Sequence, residues 1–157
     1  MNFENILKNE KIVNKNYSSK ILTFSYLINM TFVKCDFEKT FFRESSFDKC
    51  IFEDCKIKNT NFEASKLKDT KIINSNLEYA DFRGCEFDAV NFINNSGNYS
   101  KFRNSYFKNG DLSKNQFNNV DFNRVIYENM KLEDNSMQNC KMFMSFFAAS
   151  NKQSIPL

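Results

Sequence analysis

A large apolar residue returns at every fifth position of this chain from Leu22 to Phe147. In that series 25 of the 26 positions are large and apolar, and 14 of the 19 Phe lie on it, so the spacing is an organising pattern and not an accident of composition. Two residues before each centre runs a second register of small residues, among them Cys35, Thr40, Ser45, Cys50, Cys55, Thr60, Ser65, Ala80, Cys85 and Val90. A helix rotates about 100° per residue and a strand alternates faces, so neither keeps every fifth side chain on one buried surface. A chain that turns a corner every five residues and closes after four corners does. Each coil of 20 residues then stacks on the next, about 4.8 Å further along an axis.

Two features test the 20-residue coil. One corner column reads Leu22, Phe42, Phe62, Phe82, Phe102, Phe122 and Met142, a ladder of rings at stacking distance. The outward columns alternate in sign: Asp48, Lys68, Asp88, Lys108 and Glu128 in one, Glu38, Lys58 and Glu78 in another, and Arg43, Glu63 and Arg83 in a third, which Arg103 breaks. Opposite charges one coil apart favour the register, although each exposed pair adds only about 0–1 kcal/mol.

With these residues in view the chain resembles a pentapeptide-repeat protein, whose unit is a small residue, Asp or Asn, Leu or Phe, and two polar positions. Ala80-Asp81-Phe82-Arg83-Gly84, Val90-Asn91-Phe92 and Val120-Asp121-Phe122 follow that unit, while Lys56, Lys66, Lys71, Lys101, Lys131 and Lys141 replace its Asp or Asn. The resemblance implies an all-β fold, a right-handed quadrilateral parallel β-helix. The expected organisation is a short helical cap over residues 1–19, a β-helix of about six coils over 20–149 with an irregularity at 94–99, and a tail over 150–157. For the cap, Phe3, Ile6 and Leu7 share one helical face and Asn2 stands at a capping position.

The series misses once, at Gly97 within Asn94-Asn95-Ser96-Gly97-Asn98-Tyr99. Turn chemistry in this stretch suggests a five-residue bulge, whereas Asn95, Asn115 and Asn135 at 20-residue spacing suggest an interior amide ladder on an unbroken rung. A bulge would present Gly97, Tyr99, Lys101, Arg103 and Tyr106 as a partner-contact patch, in the one coil, 90–109, whose cations have no acid. At the other end Phe143, Met144, Phe146 and Phe147 crowd the last coil and need a cover. Either the residues from Ala148 onward fold back over them, or a second copy docks end to end; the resemblance implies C-terminal homodimers in several members, and that is the expected interface.

The remaining chemistry is sparse. The chain has 157 residues, a formal net charge of +3, three Gly and no His. Without histidine, without a glycine-rich phosphate loop and with no Cys-x-x-Cys pair, no enzyme, cofactor or metal site is expected. The five cysteines all fall on the small interior register and read as reduced core thiols of a cytoplasmic protein, although Cys35 and Cys55 stack closely enough for a bridge. The apolar run from Ile21 to Phe32 is too short and too interrupted to span a bilayer, and Glu4, Lys8 and Glu10 interrupt any leader core. Nearly every Phe faces inward, so direct nucleic-acid binding is not expected.

A non-enzymatic protein-interaction module is therefore the expected function. The resemblance to quinolone-resistance members implies an alternative, binding to a type II topoisomerase (DNA gyrase or topoisomerase IV) and its protection from quinolone-like poisons.

Overall fold

The computed structural model describes residues 6–150, and within them every element is a short strand or a turn. The chain winds a right-handed, four-sided parallel β-helix of about 7 turns. Face 1 is an eight-stranded parallel sheet. Its strands are β1 (Ile6–Lys8), β3 (Tyr26–Ile28), β5 (Ser46–Asp48), β7 (Lys66–Lys68), β9 (Glu86–Asp88), β11 (Tyr106–Lys108), β13 (Ile126–Glu128) and β14 (Phe146–Ala148). Face 2 is a six-stranded parallel sheet of β2 (Lys11–Val13), β4 (Thr31–Val33), β6 (Ile51–Glu53), β8 (Lys71–Ile73), β10 (Asn91–Ile93) and β12 (Asp111–Ser113). Faces 3 and 4 are held by single parallel bridges, such as Asn76 to Ser96 and Asp81 to Lys101. Every pairing joins residue n to n + 20, as in Phe47 with Leu67 and Phe92 with Leu112.

Three registers build each five-residue side. Centres point inward and stack: Phe62 on Phe82 at 4.8 Å and 10°, Phe82 on Phe102 at 4.9 Å and 9°. The small residues two positions earlier also point inward, and their polar atoms have a task. Thr60 Oγ1 donates to the Phe37 carbonyl at 2.7 Å, Ser65 Oγ to Phe42 at 2.8 Å and Cys85 Sγ to Phe62 at 3.0 Å, each adding a second bond to a carbonyl one coil below that also accepts a backbone N–H. The third register makes the corners. Every fifth residue from Asn9 to Ala149 has φ between 48° and 67°, the left-handed region. Eleven of these 29 corners are Asn, the residue after Gly that best tolerates that conformation, which explains why asparagine is so abundant here. The Asp or Asn before each centre closes a local turn, as Asn61 Oδ1 does by accepting from Glu63 N at 2.8 Å.

The N-terminal helix is corrected. Residues 6–8 and 11–13 are strands, and Leu7, Ile12 and Tyr17 occupy centre positions beneath Leu27, Phe32 and Phe37. Ile6 and Leu7 do share a helical face, but Leu7, Ile12 and Tyr17 also continue the five-residue period. Stacking on a preformed coil outweighs the weak preference of a short isolated helix. Residues 1–5 of the expected cap lie outside the described residues, as does the tail beyond Ser150.

The stretch 94–99 keeps its place on the rung. Ser96 bridges Asn76 below and Gln116 above, and Gly97 N donates to Gln116 O at 2.9 Å. The space vacated at Gly97 is taken by the Phe117 ring, which a Cβ on residue 97 would overlap. Beside it the amide ladder is complete: Asn95 Nδ2 donates to Asn115 Oδ1 at 3.0 Å and Asn115 Nδ2 to Asn135 Oδ1 at 3.1 Å.

Tyr127 substitutes for Phe in the inner stack between Phe107 and Phe147, and its hydroxyl is buried with no hydrogen-bond partner. An orphaned buried hydroxyl costs about 1–3 kcal/mol. Tyr127→Phe is therefore expected to raise the unfolding free energy by about 1–2 kcal/mol, read as a higher denaturant midpoint at unchanged slope.

Candidate protein-contact surface

The structure separates the residues of the patch expected from sequence. Gly97 faces the interior and is unavailable to a partner. Tyr99 stands at the corner between faces 3 and 4, about half exposed. Its ring stacks on Tyr79 one coil below, with centroids 5.1 Å apart and planes 6° apart, and Lys58 Nζ lies 5.8 Å from the Tyr79 centroid. Lys101 and Arg103 project from face 4 beside that corner. Tyr106 lies past the next corner, on face 1, where its hydroxyl donates to Glu128. That hydrogen bond, ahead of burial and of the Glu128 charge, pushes the Tyr106 phenol above its ordinary pKa.

Sequence reasoning found Tyr99 but missed Tyr79. The signal was available, because the two are 20 residues apart and both sit at outward corners, where an apolar residue has no interior to enter.

The charge rows are realised in part. Arg43 lies 3.8 Å from Glu63, Arg83 lies 3.8 Å from Glu63 and 2.7 Å from Asp81, Lys58 lies 3.4 Å from Glu78, and Lys108 lies 3.2 Å from Asp88. The Asp81 hydrogen bonds hold the Arg83 guanidinium above its usual range. Lys101, Arg103 and Arg124 have no carboxylate within 4.0 Å among the described residues. Arg103 and Arg124 instead line an open depression of about 470 Å³ together with Glu63, Ala64, Arg83, Gly84 and Asn104.

The C-terminal residues divide in two. Phe147 points inward and stacks on Tyr127 at 4.6 Å. Phe143, Met144 and Phe146 point sideways from the rod, 70%, 68% and 61% exposed. They lie along its flank and not across its end.

Cys35, Cys50, Cys55, Cys85 and Cys140 are all free thiols. Burial pushes Cys50 up to about 11 and Cys55 up to about 12, and Cys85 further in the same direction. In the unfolded chain these thiols ionise near pH 8.5. Between that pH and about 11–12 the unfolded state therefore binds fewer protons than the folded one, and stability falls as pH rises. The urea midpoint is expected to drop from pH 8 to pH 10, and replacing Cys55 with Ser is expected to flatten that drop.

Among the described residues no group of three or more His, Cys, Asp or Glu is placed to hold a metal ion, and no helix is long and apolar enough to cross a membrane.

A family model described as a pentapeptide repeat region matches residues 25–102 and 45–122, more than half of the chain, and the protein belongs to that family. No curated protein sequence matches. Among solved structures, a trypsin-treated form of QnrB1, a plasmid-mediated fluoroquinolone resistance protein, superposes with a TM-score of 0.51 at 19% identity, covering 92% of this chain and 72% of that one. A second trypsin-treated form of QnrB1 gives 0.50 at 14% identity, covering 90% and 91%. HetL, a pentapeptide repeat protein involved in heterocyst differentiation regulation in the cyanobacterium Nostoc, gives 0.44 at 12% identity, covering 93% and 86%. The two QnrB1 likenesses show the fold alone.

Proposed function

We propose that this protein is a non-enzymatic interaction rod of a reducing, cytoplasmic compartment, which binds a protein partner through the corner bearing Tyr79 and Tyr99. The observation that carries the reading is the stacked tyrosine pair, exposed on a rigid corner beside Lys58 and the unpaired Lys101. Rigid aromatic side chains held against their own coil lose little freedom on binding, and tyrosine is enriched among the residues that carry interface energy. The parallel coils fix the spacing of the two rings, so the site is formed before a partner arrives. Capture from a lysate with the wild-type rod, compared with the Tyr79→Ala/Tyr99→Ala variant, tests this. A partner retained by the first and lost by the second supports it; identical captures refute it.

A second reading assigns the partner as DNA gyrase or topoisomerase IV. Its support is the family membership and the likeness of fold to QnrB1, a fluoroquinolone resistance protein. Imitation of duplex DNA needs sustained rows of negative charge. Here the rows are neutralised by lysine and arginine at each second coil, which favours the first reading. Gyrase supercoiling and quinolone-induced cleavage assays discriminate: an altered response with added protein supports the topoisomerase partner, and no response leaves the general module.

A further inference from the structure

We propose that two copies of this chain associate side by side and antiparallel along the edge between faces 4 and 1, about a two-fold axis passing through Gly84. The inference rests on the reading of the rod as an interaction module, but its partner is a second copy of the chain.

The corner residues of that edge, spaced one coil apart, are Phe24, Glu44, Ala64, Gly84, Asn104, Arg124 and Met144. Laid antiparallel against itself about Gly84, the column pairs Phe24 with Met144, Glu44 with Arg124 and Ala64 with Asn104. Gly84 meets its own copy at the axis, where the two corners approach most closely and no side chain intervenes. The flanking column of face 4 pairs Glu63 with Arg103 in the same register, and that of face 1 pairs Tyr26 with Phe146. At the axis Arg83 and Glu86 each meet their own copies, but both charges are matched within the chain, by Asp81 at 2.7 Å and by Lys66 at 3.3 Å. An isologous contact of this kind must be self-complementary in both shape and charge.

Charge fits that requirement. On face 4 and its corner the coils from Ile21 to Gly84 carry two arginines against three acids, while those from Lys101 to Met144 carry four cations against one acid. Arg103 and Arg124 have no carboxylate partner within their own chain among the described residues, and the antiparallel register brings each to a glutamate. Moving the axis by half a coil sets the unpartnered Arg103 against Arg43 toward the N-terminus or against Arg83 toward the C-terminus.

Apolar exposure fits it as well. Phe24 and Tyr26 are 61% and 46% exposed at one end of the edge, and Phe143, Met144 and Phe146 are exposed at the other. The distance between the two clusters is six coils, about 29 Å at strand spacing, and the two-fold places each against the other. Three outward columns over seven coils present 21 residues, within the roughly 20–30 a side of a standard interface. An end-to-end partner would leave Phe143, Met144 and Phe146 uncovered, because they point sideways.

The test is charge-swap complementation followed by sedimentation. The variants Glu44→Arg/Glu63→Arg and Arg103→Glu/Arg124→Glu each place like charges across the edge and are expected to weaken self-association about tenfold or more. Mixed one to one, they restore opposite charges at all four contacts, and a heterodimer at wild-type strength is expected. Gly84→Cys is expected to cross-link the rod to its copy under mild oxidation. Circular dichroism and the tyrosine-dependent capture described above report folding and the module reading separately. A wild-type protein that stays monomeric at every concentration overturns the proposal, whether a foreign partner or the chain's own terminal residues then cover the edge. So does a dimer indifferent to the charge variants, or a mixture that fails to recover.

Discussion

Phe117→Ala is expected to lower the unfolding free energy by about 4–5 kcal/mol, the upper half of the range for buried Phe-to-Ala changes. Most centre rings in this rod fill one rung. The Phe117 ring fills its own and also the space where residue 97 has no side chain. It meets Phe102 edge-on at 5.8 Å and Phe122 at 5.8 Å and 76°. Removing it leaves two adjoining centres empty, and the coils cannot collapse into the gap because their hydrogen-bond ladders fix the spacing. The companion change Gly97→Ala is expected to destabilise as well, by about 1–3 kcal/mol, since the added methyl meets a ring already in place. Were residue 97 an unfilled void, the same methyl would stabilise. Urea unfolding of the two variants against wild type gives both values.

Asn115→Leu carries the second large effect, about 3–4 kcal/mol of destabilisation, of which each orphaned buried polar group supplies about 1–3. Asn115 Oδ1 accepts from both the backbone N and Nδ2 of Asn95, at 2.9 and 3.0 Å, and Asn115 Nδ2 donates to the Phe92 carbonyl at 2.9 Å. Leucine leaves the Asn95 backbone donor unmet in a dry interior and strips the Phe92 carbonyl of its side-chain donor, leaving it the ladder bond alone. Asn115→Ser is expected to cost less, about half as much. Serine does the same two jobs elsewhere in the rod: Ser45 Oγ accepts from Ser25 N at 3.0 Å and donates to the Leu22 carbonyl at 3.1 Å. Equal losses for leucine and serine would show that size, and not hydrogen bonding, sets the position.

The five-residue period made the coil, the register and the inward stacks readable before any coordinates, because each centre repeats the same physical demand. Its reach extends below Leu22. Leu7, Ile12 and Tyr17 obey it, but a three-residue helical face near the N-terminus competed for the same residues. The sequence leaves the rung at Gly97 open for a different reason. A missing side chain is visible in sequence, but the ring that bends into the gap comes from 20 residues away. The small register was read by size alone, whereas Thr60, Ser65 and Cys85 show it selected also for a donor that reaches a carbonyl in the coil below.

The contact surface was less legible. Tyr99 and Arg103 stood out by composition, but their neighbours Tyr79 and Arg124 become apparent only when outward positions are stacked coil upon coil. The repeat pattern singles out Phe143, Met144 and Phe146 as residues in need of a cover, yet only the direction of each side chain distinguishes the flank of a rod from its end.

The measurement that bears most directly on this account is a distance ladder between spin labels on one outward column of face 1, with the first label at Lys8 and the second at Lys68, Lys108 or Glu128 in turn. Successive coils at strand spacing predict about 14, 24 and 29 Å for three, five and six coils, a straight line against coil number that passes through the Gly97 rung without a step. Distances that depart from that line, or that jump between Lys68 and Lys108, would contradict a continuous 20-residue coil.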